Sequence, residues 1–135
     1  MNTTRFLDIV AGNVFGTKTN PAIPTKYYIG LSTTAPTING TNVTEPNAGA
    51  GYARVELTSL SQPSGGVVTN EQAINFNEST ASWGTITHFV IFDTDTVGGG
   101  NLLMYGALST PRSVEAATIM TIKEGYLNLS AQNPT

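Results

Sequence analysis

At 135 residues the chain has room for one domain built on one core. Only 11% of it is charged, the formal net charge is −3, and Arg5, Lys18, Lys26, Arg54, Arg112 and Lys123 are scattered singly, which excludes the positive footprint of a nucleic-acid binder. It contains no cysteine, hence no disulfide, thiol nucleophile or Cys-type zinc site, and no apolar run approaches the roughly 20 residues of a membrane span.

Thr4 to Val14 reads as the one helix. Leu7, Val10, Ala11 and Val14 recur at helical spacing and form an apolar stripe. Thr3 or Thr4 serves as N-cap, Asp8 lies toward the positive end, and Gly16 stops the helix. Asp8 also interrupts the short apolar run, so no signal peptide is read and folding in a cytosol is expected. Pro21 and Pro24 extend Thr17 to Thr25, making residues 1–25 a helix and arm.

Strand signals follow. Lys26 to Ser32 alternates, with Tyr27, Ile29 and Leu31 on one face. Residues 32–51 break the rhythm with Pro36, Asn39-Gly40, Pro46 and Gly49, and are expected to form a long projecting loop. Tyr52 to Thr58 reads as an amphipathic strand, near solvent on one side, with Tyr52, Arg54, Glu56 and Thr58 opposite Ala53, Val55 and Leu57. Val67 to Thr69 and Ala73 to Asn77 are short strands. Thr85 to Asp93 is apolar on both faces and so expected to be central. Three glycines, Gly98 to Gly100, turn it into Leu102 to Leu108, which is similarly apolar. Ala117 to Lys123 and Tyr126 to Ser130 flank Glu124-Gly125 as a final hairpin, with Ile119, Leu127 and Leu129 as core candidates. Twenty-one Thr and twelve Asn suit strands and turns. The expected fold is all-β: a jelly-roll-like β-sandwich over 26–130 with one short N-terminal helix, the whole of 1–135 forming a single domain.

Tyr27-Tyr28-Ile29-Gly30-Leu31-Ser32, Gly51-Tyr52-Ala53-Arg54, Trp83-Gly84-Thr85-Ile86-Thr87-His88, Ile91-Phe92-Asp93 and Gly99 to Leu108 resemble a family of small tailed-phage virion proteins, often labelled tail-fibre proteins and similar to capsid decoration proteins. The resemblance implies a non-enzymatic virion component. The expected role is a capsid decoration or cement protein that stabilises the assembled lattice, with the major capsid protein and copies of itself, as a trimer, for partners. Its position would be the capsid surface. The alternatives are a tail-fibre, tail-tip or baseplate element contacting the host, and a carbohydrate-binding β-sandwich module. Low charge suits broad interfaces. Interface candidates are Phe6, Leu7 and Val10 on the helix and Thr37, Asn39, Asn42 and Asn47 on the long loop.

Chemistry-bearing patterns are weak. His88 is the single histidine. It sits in the alternation Ile86, His88, Val90, Phe92 and has no assignable partner, so a structural role is expected. Asp93-Thr94-Asp95-Thr96-Val97-Gly98 fails as a calcium loop, because Val97 and Met104 stand where oxygen ligands belong. The glycine run has no following Lys-Ser/Thr and no helix, so it makes no phosphate cradle. Glu71 and Glu78 flank a strand at odd spacing, so they do not converge as glycosidase carboxylates do. Trp83 with Tyr27, Tyr28, Tyr52, Tyr105 and Tyr126 is the one candidate sugar platform, although Trp83 begins a strand read as core. No catalytic residue, cofactor or metal is expected.

Overall fold

Thr3 fixes the first element. In the computed structural model, which describes residues 1–16 and 23–130, α1 spans Thr4–Phe15. Thr3 caps it by accepting from Phe6 N at 3.3 Å, and its own hydroxyl donates to Leu102 O at 2.7 Å. Gly16 closes the helix in the left-handed region at φ 65°. Tying the cap to the sheet sets the helix's rotation. Ile9 and Gly12 turn inward, while Leu7, Ala11 and Val14 of the expected stripe face outward. The extended arm expected over 17–25 falls largely outside the described residues.

Eight strands follow among the described residues: β1 Tyr28–Ser32, β2 Val55–Glu56, β3 Val67–Thr69, β4 Ile74–Asn75, β5 Gly84–Phe92, β6 Leu102–Val114, β7 Thr121–Ile122 and β8 Asn128–Ser130. One antiparallel sheet runs β2-β1-β5-β6. Two ribbons, β3-β8 and β4-β7, supply Ile74, Phe76, Met120 and Leu127 to the same core as Ile29, Leu31, Ile86, Ile91, Leu103 and Val114. The class is all-β with one N-terminal helix. Where a jelly roll carries a second four-stranded sheet, this layer is divided.

The division has a cause at Asn70, which is buried. Its amide donates to Gln72 O at 2.8 Å and Lys123 O at 2.9 Å, and its Oδ1 accepts from Leu127 N at 3.0 Å. Gly125 N donates to Asn70 O at 2.9 Å. The turn at Glu124-Gly125 therefore wraps around Asn70. β7 and β8 do not pair with each other as the expected hairpin; β7 pairs with β4 and β8 with β3. Leu127 is buried, whereas Ile119 is 57% exposed.

β5 is central and covered on both faces. The register shifts between Ile86 and His88, and a bulge there exchanges faces. Ile86 and Ile91 enter the main core, while Val90 and Phe92 join Leu102 in a second cluster on the opposite face. The four-residue alternation through His88 therefore breaks at Thr87. β6 runs past the expected Leu108 to Val114 and lies at the sheet edge, a position that tolerates Pro111. Its first part is covered by the N-terminus: Thr3 N donates to Leu103 O and Tyr105 N to Met1 O, each at 2.9 Å.

Residues 32–51 do not project; they fold over the second face of the sheet. Thr33 N donates to Thr44 O at 2.9 Å, Thr4 N donates to Ile38 O at 2.9 Å, and Val43 packs against the second cluster. Glu45 anchors the segment. Arg54 reaches it through Nε at 2.9 Å and Nη2 at 2.8 Å. Nη1 donates to Thr94 O and Gly99 O at 2.8 and 3.0 Å, and the guanidinium lies 3.6 Å from the Phe92 ring centroid. Tyr52 Oη donates to Glu45 Oε1 at 2.7 Å and accepts from Leu31 N at 2.9 Å. Tyr52 and Arg54, which share the more polar face of the expected amphipathic strand, are thus buried, because their partner folds over them. Gly30 leaves the space: a Cβ there would collide with the Tyr52 hydroxyl and lie 2.8 Å from Glu45 Oε1.

Burial pushes the Glu45 carboxyl up, but the hydrogen bonds from Arg54, Tyr52 and Gly98 N–H, with the Arg54 charge, hold it below its ordinary value. Its contribution to stability is therefore present above about pH 4.3 and lost as pH falls through the lowered folded value. Glu45→Gln strands a buried guanidinium and should cost about 3–5 kcal/mol in urea unfolding. It should also remove part of the wild type's acid sensitivity. Gly30→Ala should cost about 1–3 kcal/mol by overpacking. Wild-type stability in either variant would show that the network does not hold this face.

Candidate functional site

Among the described residues no group of three or more His, Cys, Asp or Glu side chains converges as a metal site would. Thr87 Oγ1 lies 2.8 Å from His88 Nδ1, and among the described residues no carboxylate orients the ring. Asp93 accepts from Asn101 N at 2.8 Å and Asn101 Nδ2 at 2.9 Å, which closes the β5–β6 loop on itself. Trp83 is buried, donates from Nε1 to Ala50 O at 2.9 Å, and meets Tyr52 edge-to-face at 5.4 Å. Those two rings are core and do not form a sugar platform. Tyr126, by contrast, is 73% exposed.

The interface candidates separate by position. Phe6 and Val10 are half-buried, and Phe6 packs against the core. Leu7 is exposed. On the loop, Thr37 Oγ1 pairs with Thr41 Oγ1 at 2.7 Å, Asn42 Nδ2 donates to Ala35 O at 2.8 Å, and Asn47 Oδ1 accepts from Gly49 N at 2.8 Å. These side chains brace the loop's own backbone. Asn39 sits exposed at the turn before Gly40. The bond from Thr4 to Ile38 does bring the loop tip to the first turn of the helix.

Three surfaces among the described residues bear on contact. The outer helix face carries Leu7, Ala11, Val14 and Phe15, the last two 70% and 80% exposed; Phe15 was not among the candidates, although it continues the sequence's own stripe. An apolar groove of about 300 Å³ lies beside the helix, lined by Phe6, Leu57, Leu60, Val68 and Leu129. A third, mixed groove of about 310 Å³ lies between β6 and the β7–β8 turn and holds Arg112, Lys123 and Tyr126. Arg112 and Lys123 stand eleven positions apart in sequence with no shared motif, on β6 and directly after β7, which pair with different partners, yet both line this groove.

A family model described as Podophage GP4 fiber I protein gp80 matches residues 6–130. No curated protein matches the chain.

Burial holds the His88 imidazole below its ordinary value. The folded state resists protonation, so this residue's contribution is intact above about pH 6.5 and declines as the pH falls toward the depressed value. His88→Gln should flatten the change in melting temperature between about pH 7 and pH 5.5. An unchanged slope would assign the titration to another group.

Proposed function

The chain belongs to the podophage GP4 fiber I protein gp80 family of virion structural proteins, and from that premise we propose that it is a fibre element that works by adhesion and not by bond-making chemistry. The observation that carries this reading is the contrast between its interior and its surface. Its ionisable network, Arg54 with Glu45, has side chains only 0% and 5% exposed and is consumed in holding the fold. Among the features that face outward are an apolar helix stripe and two open grooves.

Copies of the chain meet through that stripe, with Val14 and Phe15 of one copy against a neighbour. A head-to-tail contact of this kind closes into a ring when the rotation permits, and a trimer is the ring proposed. A stable contact of standard size buries about 1,600 Å² in total. Decoration of the capsid, with the major capsid protein as partner, would use the same surfaces; the family's description as a fibre protein favours the tail.

Fractionated particles test the position: the protein should follow purified tails, and recovery with DNA-filled heads would replace this reading with decoration. For the contact, Val14→Ser with Phe15→Ser should leave the unfolding free energy within about 1 kcal/mol, since both side chains are exposed. The same pair should convert oligomer to monomer in light scattering. A wild type that is monomeric at high concentration would overturn the self-contact.

A further inference from the structure

We propose that the groove between β6 and the β7–β8 turn binds an acidic sugar chain. Its floor is apolar, formed by Phe89, Leu108 and Leu127. Ser109 and Thr110 also line it, as does Thr121, whose hydroxyl donates to Asn75 Oδ1 at 2.7 Å. Its charged lining residues are Arg112 and Lys123, and no Asp or Glu lines it. The volume, about 310 Å³, is at the lower end of ligand pockets, which run from roughly 300 to 1,000 Å³.

The charges are what single it out. The chain is acidic overall. Arg54 is spent on Glu45, and Lys26 stands 3.6 Å from Glu56. Among the described residues Arg5, Arg112 and Lys123 make no ion pair, and the last two line one groove. Lys123 Nζ lies 6.0 Å from the Tyr126 ring centroid, so cation and aromatic face share one side of the groove. An unpaired guanidinium and an ammonium set above an apolar floor complement a ligand with carboxylates on a partly apolar frame. Sugars present such a frame: C–H faces for an exposed ring like Tyr126, hydroxyls for Ser and Thr, and a carboxylate when acidic. A nucleic acid fits less well, because two cations on a chain of net charge −3 do not track a phosphate backbone. The proposal rests on the adhesive reading above, and it names the class of surface that the adhesion recognises.

The test is an array of acidic glycans, uronate- and sialate-containing, beside their neutral counterparts, followed by calorimetry on the strongest probe. Saturable binding of acidic chains at least tenfold above neutral ones is expected. Arg112→Ala and Lys123→Ala should each weaken it about tenfold, as loss of one charge-assisted hydrogen bond predicts. Tyr126→Ala should weaken it several-fold. All three residues are exposed, so melting temperatures should stay at the wild-type value and separate loss of binding from loss of fold. Silence across the array, equal binding of neutral chains, indifference to the two cations, or equal competition by a single-stranded oligonucleotide would each overturn the proposal. Protein that follows tails yet ignores every acidic glycan loses this site alone. Protein that binds acidic glycans yet sediments with heads loses the fibre reading alone.

Discussion

The ion pair between Arg54 and Glu45 is the constraint on which the second face of the sheet depends. Two charges withdrawn from water carry a desolvation cost that their mutual attraction offsets only when every remaining donor and acceptor is met. Here most are met: four hydrogen bonds from the guanidinium serve the carboxylate and two carbonyls of the β5–β6 loop, and the group lies over the face of Phe92. The carboxylate also accepts from Tyr52 and, at 3.0 Å, from Gly98 N. Three segments distant in sequence are thereby held together: 33–47, the approach to β2, and the turn after β5. Without that anchor the segment over Val90 and Phe92 would rest on the packing of Val43 and on hydrogen bonds that water can replace at little net cost.

What the sequence made legible were features governed by near neighbours. The helix from Thr4, its cap and its glycine stop are local. So is the β5–β6 hairpin, whose apolar runs and glycines lie side by side, and so is the burial of Trp83 at a strand start. The rest turned on distant partners. Nothing near Arg54 announces that Glu45 will cover it, so its strand looked solvated. Nothing near Thr87 announces a bulge, yet one extra residue moved Val90 and Phe92 to the other face. Asn70 looks like an ordinary turn residue, and it decides which strands pair at the far end of the chain.

The candidate surfaces were harder still. Thr37, Asn42 and Asn47 have the composition of an exposed recognition loop, but their side chains are occupied with nearby loop groups. The helix stripe was visible as a stripe, while its outward rotation was set by a hydroxyl bound to Leu102 O. Arg112 and Lys123 each read as an isolated surface charge. Composition nevertheless carried the broad lesson. A chain poor in charge spends the buried pair of Arg54 and Glu45 on architecture, and leaves its exterior to apolar, hydroxyl and amide groups suited to contact.

The edge of the sheet has a consequence for life in a crowd. Met1 to Thr3 seal the start of β6, but among the described residues no strand pairs with the outer side of its second half. An open strand invites runaway stacking of identical chains wherever they are concentrated. Pro111 stands in that stretch and has no amide proton to offer. Neighbouring molecules are thereby steered toward side-chain contacts, which can dissociate, and away from cross-β growth, which seldom reverses.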